Sequence, residues 1–267
     1  MAKKIVILYS SGLDSRIMLH LAQVTHPDAE IKCLYYAHGA ESEAEEIARL
    51  PAFVEVRRID WLNDKIKPLA KKEDEFGGAF YIPGRNLIFT SLAACQELPD
   101  EIYMGVNADE NYPKSTDKGV RFRDETSALL SYVLSPFSSG VQIVLPFVDR
   151  NWCKKDTVKW ALENGLTPKD ITDTISCYHH HGVPCGECRQ CVKRKIVFMV
   201  NNLDEEYVVD PLTSAFGINS VETYLQMVYR DKEYNMDEET MAGMIMDLSR
   251  QGRLPQVLED LVQKYTK

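Results

Sequence analysis

The sequence predicts an α/β fold: a doubly wound, mostly parallel five-stranded sheet followed by a C-terminal zinc-binding and helical region. Five β-type apolar runs, at 4–9, 31–36, 54–59, 101–106 and 141–146, alternate with helical apolar spacing at 15–23, 42–50, 87–96 and 124–133. Strands alternating with helices imply parallel pairing with helices on both faces, and right-handed crossovers then follow. At 267 residues, 45% hydrophobic and 27% charged, the chain has the length and composition of one large α/β domain with an appendage.

The first run, Ile5 to Tyr9, breaks at Ser10-Ser11-Gly12-Leu13-Asp14-Ser15, and helical spacing resumes at Ile17, Met18 and Leu21. A polar turn at the carboxyl end of a parallel strand is where open sheets bind ligands. Backbone N–H groups of the turn and of the helix behind it form a cradle for an anion. Serine hydroxyls add donors, and Gly12 is expected to supply a positive φ or a close approach. The plain alternative is a strand-to-helix connection capped by Ser or Asp. The pattern GxxxxGK[ST] is absent, so the turn is not a Walker A loop. Two long connections, Asp60–Pro83 and Asn107–Arg123, are expected to close over a bound nucleotide. The first carries Lys71-Lys72-Glu73-Asp74-Glu75 and Gly77-Gly78.

After Asp149 the pattern changes, which suggests three parts: 1–150, 151–212 and 213–267. Lys154–Glu163 reads as a helix ended by Gly165 with Pro168 beyond, and another runs from Cys188 to about 201. Amphipathic helices are expected at 221–230, 237–250 and 255–265, with Asp237 and Thr240 as a cap signal. Met241, Met244, Ile245 and Leu248 form a stripe that reads as core or subunit contact. A net charge of −9 argues against a general nucleic-acid-binding surface. No apolar stretch reaches membrane-span length, and the lysines after Met1 lead into a strand; the expectation is a cytoplasmic protein.

Seven cysteines in such a protein call for an explanation other than disulfides. Cys33, Cys95 and Cys153 are scattered and read as packing residues. Cys177, Cys185, Cys188 and Cys191 contain two consecutive CxxC spacings sharing Cys188, with a fourth thiol upstream. Four thiolates complete a tetrahedral zinc shell with no position left for water, which means structure rather than Lewis-acid catalysis. Spacing alone also fits an iron–sulfur cluster. His179, His180 and His181 are competing ligands, read here as loop residues because four sulfurs satisfy the ion.

The Ser10–Ser15 turn resembles the PP-loop (SGGxDS) of ATP pyrophosphatases, with Ser11 at the first glycine. Together with the cysteine segment it resembles the 7-cyano-7-deazaguanine synthases of the queuosine-precursor pathway, over roughly residues 3–212. Tyr81-Ile82-Pro83-Gly84-Arg85-Asn86 is similar to that family's xPGRN segment and Gly105-Val106-Asn107-Ala108 to its GxNA segment. Ser176-Cys177-Tyr178 resembles SCY and Cys191 to Arg194 resembles CxxR; Lys154 falls where the family has a lysine before a helix. Two segments depart from the pattern. Tyr112-Pro113 is followed by Lys114 where the family has aspartate, leaving Asp109 or Asp117 as substitutes. The family's tyrosine-glycine-glutamine after the second strand reads Tyr36-Ala37-His38.

The resemblance implies an adenine nucleotide alpha-hydrolase-like fold and a carbon–nitrogen ligase. Its substrates would be ATP, ammonia and 7-carboxy-7-deazaguanine, its metals Mg²⁺ with ATP and structural Zn²⁺. It also implies an ATP site of Tyr9, Ser10, Ser11, Gly12, Leu13, Asp14 and Ser15. Asp14, Arg85 and Lys154 would be catalytic, and Arg85, Asn86, Gly105 and Asn107 would hold the substrate. With the methionine stripe it suggests a homodimer. Two other readings stand beside it: a related PP-loop enzyme adenylating a protein- or nucleic-acid-bound acceptor, and a nucleotide-binding module without turnover.

Overall fold

The computed structural model describes residues 2–40, 43–65, 84–111, 117–177, 179 and 182–267. The chain divides into two units, Met1–Asn151 and Trp152–Lys267.

In the first unit, strands β1 (Lys4–Leu8), β2 (Glu30–Ala37), β3 (Glu55–Arg58), β4 (Glu101–Tyr103) and β5 (Gln142–Val144) form one sheet in the order β3-β2-β1-β4-β5. Every pairing is parallel. Ile5, Val6 and Ile7 of the central strand are all buried, as expected for a strand covered on both faces, where neither side needs polar residues. Helices α1 (Leu13–Thr25), α2 (Glu43–Ala48), α3 (Asp60–Lys65), α4 (Arg85–Glu97) and α5 (Val120–Leu134) connect the strands. Strand order reverses at β1, whose neighbours are β2 on one side and β4 on the other. The carboxyl ends of such a pair splay open and leave the crevice in which ligands bind.

Several local expectations change. β4 stops at Tyr103 because Met104 O accepts from Val106 N (3.0 Å), turning the chain out of the sheet. The expected loop after Asp60 begins with α3, and α5 starts at Val120 rather than Asp124. Cys95 is exposed on α4 and packs no core, whereas Cys33 and Cys153 are buried. The charged run at 71–75, Gly77-Gly78, Tyr81-Ile82-Pro83 and Tyr112-Pro113-Lys114 lie outside the described residues.

The second unit contains α6 (Lys154–Glu163), α7 (Pro168–Thr172), α8 (Arg189–Val200), α9 (Ala215–Leu225), α10 (Met236–Arg250) and α11 (Gln256–Thr266), with a π-helical turn at Gln226–Asp231. Pro168 opens α7 rather than following a helix end: Thr167 and Asp170 form a capping box, and proline at the first helical position lacks only an N–H that would go unused. Asn235, not Asp237, caps α10, its side chain accepting from the N–H groups of Asp237 and Glu238. Met241, Met244, Ile245 and Leu248 are buried where α10 packs on α8 and α9, so the methionine stripe is core within this chain.

Arg194 of α8 is 3% exposed and holds the chain before the cysteines in place. It pairs with Glu205 (2.7 Å), donates to the Thr174 and Ser176 hydroxyls (2.9 and 3.0 Å), and donates to the Ile171 and Thr172 carbonyls (3.3 and 3.1 Å). A buried charge is tolerated only when its hydrogen-bonding capacity is met, and removal of one partner strands the other. Arg194→Met, which keeps the bulk but leaves Glu205 buried without its guanidinium, is expected to lower unfolding stability by about 3–5 kcal/mol. Denaturant unfolding of the metal-loaded protein checks this, and a loss below about 1 kcal/mol is the size of an exposed pair instead.

Candidate functional site

The first unit gathers its polar residues at the carboxyl ends of β1, β2 and β4. Tyr9 continues β1, its N–H donating to Leu34 O (2.9 Å), and its buried hydroxyl is raised from its ordinary pKa by desolvation against the opposing pull of Arg16. In the turn that follows, Gly12 N–H donates to Ser10 Oγ (3.1 Å), and Ser15 Oγ lies 2.5 Å from Ser10 O and 2.9 Å from Gly12 O. Ser11 Oγ donates to Glu46 O of α2. The hydroxyls of Ser11 and Ser15 thus brace the loop instead of extending from it. Gly12 has φ −78° and ψ 158°, extended backbone open to any residue, so the expected positive φ is not found. Ser11 is absent from the positive-φ residues, and its Cβ is accommodated without backbone strain. Gly12, the N-cap of α1, offers no side-chain cap, so the first-turn N–H groups receive none from it.

Asn107, fully buried after β4, reaches across the strand reversal: Nδ2 donates to Asp14 Oδ1 (3.1 Å) and Glu110 Oε2 (3.3 Å). Both partners are carboxylates, which fixes the amide with nitrogen toward them. Its Oδ1 is then a buried acceptor with no partner among the described residues. A buried polar atom left unpaired costs about 1–3 kcal/mol, a loss a ligand donor would recover. Gly105 permits this approach, because a Cβ there would come within 3.3 Å of Asp14 Cβ.

Arg85 is the first residue of α4, after Gly84 at φ 70°. Asn86 does not cap that helix. Its Nδ2 donates to Asp117, to the carbonyl at 3.1 Å and to Oδ2 at 3.2 Å. Desolvation raises the Asp117 carboxyl above its ordinary range, opposed by Arg85 and Lys118. Of the two candidate substitutes for the missing family aspartate, Asp117 lies beside Arg85 and Asn86, and Asp109 is buried in the 3₁₀ turn Ala108–Glu110. Loop residues Tyr9–Ser15, Gly105 and Asn107 therefore come together, while Arg85 and Asn86 form a group with Asp117. Lys154 opens α6 in the second unit, after Cys153 at the N-cap. His38, beyond β2, faces Arg85 and was not among the residues the motifs selected.

In the second unit the sulfurs of Cys177, Cys185, Cys188 and Cys191 all lie within 4.8 Å of one another. Cys191 Sγ is 3.5 Å from Cys188 Sγ and 3.9 Å from Cys185 Sγ. A tetrahedral ion with metal–sulfur bonds of about 2.3 Å would set the sulfurs about 3.8 Å apart, so the donor set fits zinc. N–H groups already point at the sulfurs, from His179 and Cys185 to Cys177 (3.3 and 3.4 Å) and from Glu187 to Cys185 (3.3 Å), as thiolates require. Burial and the neighbouring sulfurs push the Cys185 thiol up to about 11, so a metal must displace protons to bind. His179 is exposed and contributes its backbone, while Tyr178, His180 and His181 lie outside the described residues.

The knuckle is closed from outside by Val208 and Val209, whose N–H groups donate to Pro184 O (2.9 Å) and Cys185 O (3.3 Å). Gly186 has φ +81°, and a Cβ on it would lie 1.7 Å from Val209 O.

A doubly wound parallel unit bearing a serine-rich turn at its strand reversal, joined in one chain to a four-cysteine unit, defines the class. The chain belongs to the queuosine biosynthesis protein QueC family, whose model matches residues 4–202. Among relatives, a protein of Sulfurisphaera tokodaii named 7-cyano-7-deazaguanine synthase 2 is 30% identical over 231 residues, covering 76% of this chain and 47% of that protein. The 7-cyano-7-deazaguanine synthase of Sulfolobus acidocaldarius is 26% identical over 226 residues, with 76% and 47% covered. The chain thus spans about half the length of these archaeal relatives. The Psychromonas ingrahamii protein of the same name is 28% identical over 225 residues, and 97% of its length is covered.

Gly186→Ala would force the Val209 carbonyl away and disturb the turn that presents an N–H to Cys191. Groups supporting metal ligands are typically worth 10–100-fold in affinity, so a metal loaded on the four cysteines is expected to pass from the variant to a competing chelator at about tenfold lower chelator concentration. Metal content by atomic emission checks it, and unchanged retention would mean the knuckle adapts.

Proposed function

We propose that the chain converts 7-carboxy-7-deazaguanine and ammonia to 7-cyano-7-deazaguanine, using ATP and releasing AMP and pyrophosphate. The observation that carries this is the hydrogen bond between Asn107 and Asp14 at the strand reversal of a QueC-family chain, which leaves a buried acceptor beside the loop. Membership of the family supports the substrate assignment.

A carboxylate resists ammonia because oxide would have to leave. Attack of the carboxylate on the α-phosphorus of ATP expels pyrophosphate and leaves an acyl-adenylate, whose AMP is a good leaving group. Ammonia displaces AMP to give the amide. Attack of the amide oxygen on a second ATP expels pyrophosphate, and loss of AMP and protons from nitrogen gives the nitrile.

The protein aligns these groups and neutralises charge. The Ser10–Ser15 turn, with its hydroxyls bracing the backbone, presents N–H groups of α1 to phosphate. Mg²⁺ supplies charge neutralisation on the phosphates when bound, and Asp14, held by Asn107, is the residue that would hold it. Arg85 is the cation in the first unit suited to the oxyanions formed as adenylation proceeds. Asn107 Oδ1 accepts a hydrogen bond from an N–H edge of the purine-like substrate. The four cysteines hold zinc as a structural ion with no open position. No helix among the described residues is long and apolar enough to cross a membrane.

The test follows acid, amide, nitrile, AMP and pyrophosphate by mass spectrometry with purified protein, ATP, Mg²⁺, ammonium and the acid. Nitrile and AMP should form together, and Asp14→Ala should reduce both rates on the order of 10²-fold, as for loss of a preorganised electrostatic group. AMP formed without change in the acid would reject this acceptor, and no AMP would reject turnover.

A further inference from the structure

His38 follows β2 directly, half-buried at the carboxyl edge of the sheet. Its Nδ1 lies 3.0 Å from Tyr36 O. A carbonyl can only accept, so Nδ1 carries a proton and the lone pair of the neutral ring is on Nε2. The imidazole meets Phe89 of α4 edge-on, with centroids 5.3 Å apart at 67°, and Phe89 in turn stacks on Tyr36 at 5.2 Å. The ring is thus fixed in tautomer and in orientation.

Among the described residues, the charged groups facing it come from two helices: Arg85 from α4, and Glu43 and Glu46 from α2. Glu43 accepts from Gly39 N–H (2.6 Å) and lies 3.6 Å from Arg58. The carbonyl of Glu46 receives the Ser11 hydroxyl, so one short helix touches both the serine loop and the surroundings of His38. Desolvation lowers the imidazole pKa below 6.5, opposed by the Tyr36 carbonyl and the two glutamates and reinforced by Arg85. At pH 7 the ring is therefore neutral.

We infer that His38 is the base that takes the proton from the attacking nitrogen when ammonia adds to the acyl-adenylate. The inference rests on the synthase reading above. As the C–N bond forms, the carbonyl π pair moves onto oxygen and nitrogen becomes cationic. One N–H proton passes to Nε2, the oxygen pair restores C=O, and the C–O bond to AMP breaks with its electrons on AMP. Without that proton transfer the adduct returns to reactants by expelling ammonia, the better leaving group while nitrogen is cationic. Glutamine, which the family resemblance leads one to expect at this position, can hydrogen-bond but cannot take a proton.

The experiment measures kcat/KM for amide formation from pH 5 to 9 in the full-length protein and in His38→Gln, with folding of both checked by thermal melting. The wild type should lose rate as pH falls through an apparent pKa below 6.5. His38→Gln should be about 10²-fold slower, the usual contribution of a general base, and should lack that acid limb. A variant that keeps the wild-type rate or the acid limb overturns the inference while the synthase reading stands. Nitrogen-15 NMR of histidine-labelled protein gives a readout apart from activity: an Nδ1–H tautomer at pH 7 is expected, and an Nε2–H tautomer overturns the inference. A wild type that forms neither amide nor nitrile rejects the synthase reading, and the assignment of His38 falls with it.

Discussion

The hydrogen bond from Asn107 to Asp14 is the contact on which the first unit's polar edge depends. It crosses the place where strand order reverses and joins the chain after β4 to the first turn of α1. Two local conditions make it possible. Gly105 lets the strands' ends approach, and Glu110 Oε2, accepting from both the backbone N–H and Nδ2 of Asn107, holds the asparagine at a fixed angle. Because both donors of the amide are committed to carboxylates, its oxygen has to face away from them, buried and unpaired among the described residues. A polar constraint of this kind specifies geometry more than it adds stability, which suits a region that must be ready for a ligand.

The second unit relies on a different economy of interactions. Three of the four clustered cysteines are buried, and a single arginine gathers five further groups around the chain leading to them. Helix α10 joins this arrangement through its first turn. Asp237 pairs with Arg189 at 3.2 Å and with Lys193, both on the helix that carries Cys191. Of the C-terminal helices outside the family match, α9 and α10 thus pack on the cysteine-bearing helix itself, and α11 packs on α9 and α10.

Much of this was legible in the sequence because the signals are local. Alternating strand and helix patterns are enough to order a parallel sheet, and CxxC spacing brings thiols together through one tight turn. The remaining features depend on tertiary partners. Gly12 looked like a residue chosen for positive φ, yet the turn is closed by serine hydroxyls in extended backbone. Asn86 carries no local signal for its partner, because the carboxylate that binds its side chain lies thirty-one residues on. Pro168 read as a terminator because the Thr167–Asp170 box that makes it an opening residue is weak in isolation. His38 stands in the sequence only as a departure from the family's tyrosine-glycine-glutamine segment, since its orientation comes from Phe89, on a helix distant in sequence.

The strap of Val208 and Val209 over the cysteine turn sets an order of assembly. All four thiols have been synthesised by Cys191, before the strap exists, and the carbonyl of Val209 later occupies the space that only a glycine at 186 leaves open. The cysteine turn is therefore more open on the nascent chain than in the finished protein, where two backbone hydrogen bonds lie across it. An ion held by the four sulfurs would have its retention coupled to the opening of those bonds as well as to sulfur affinity.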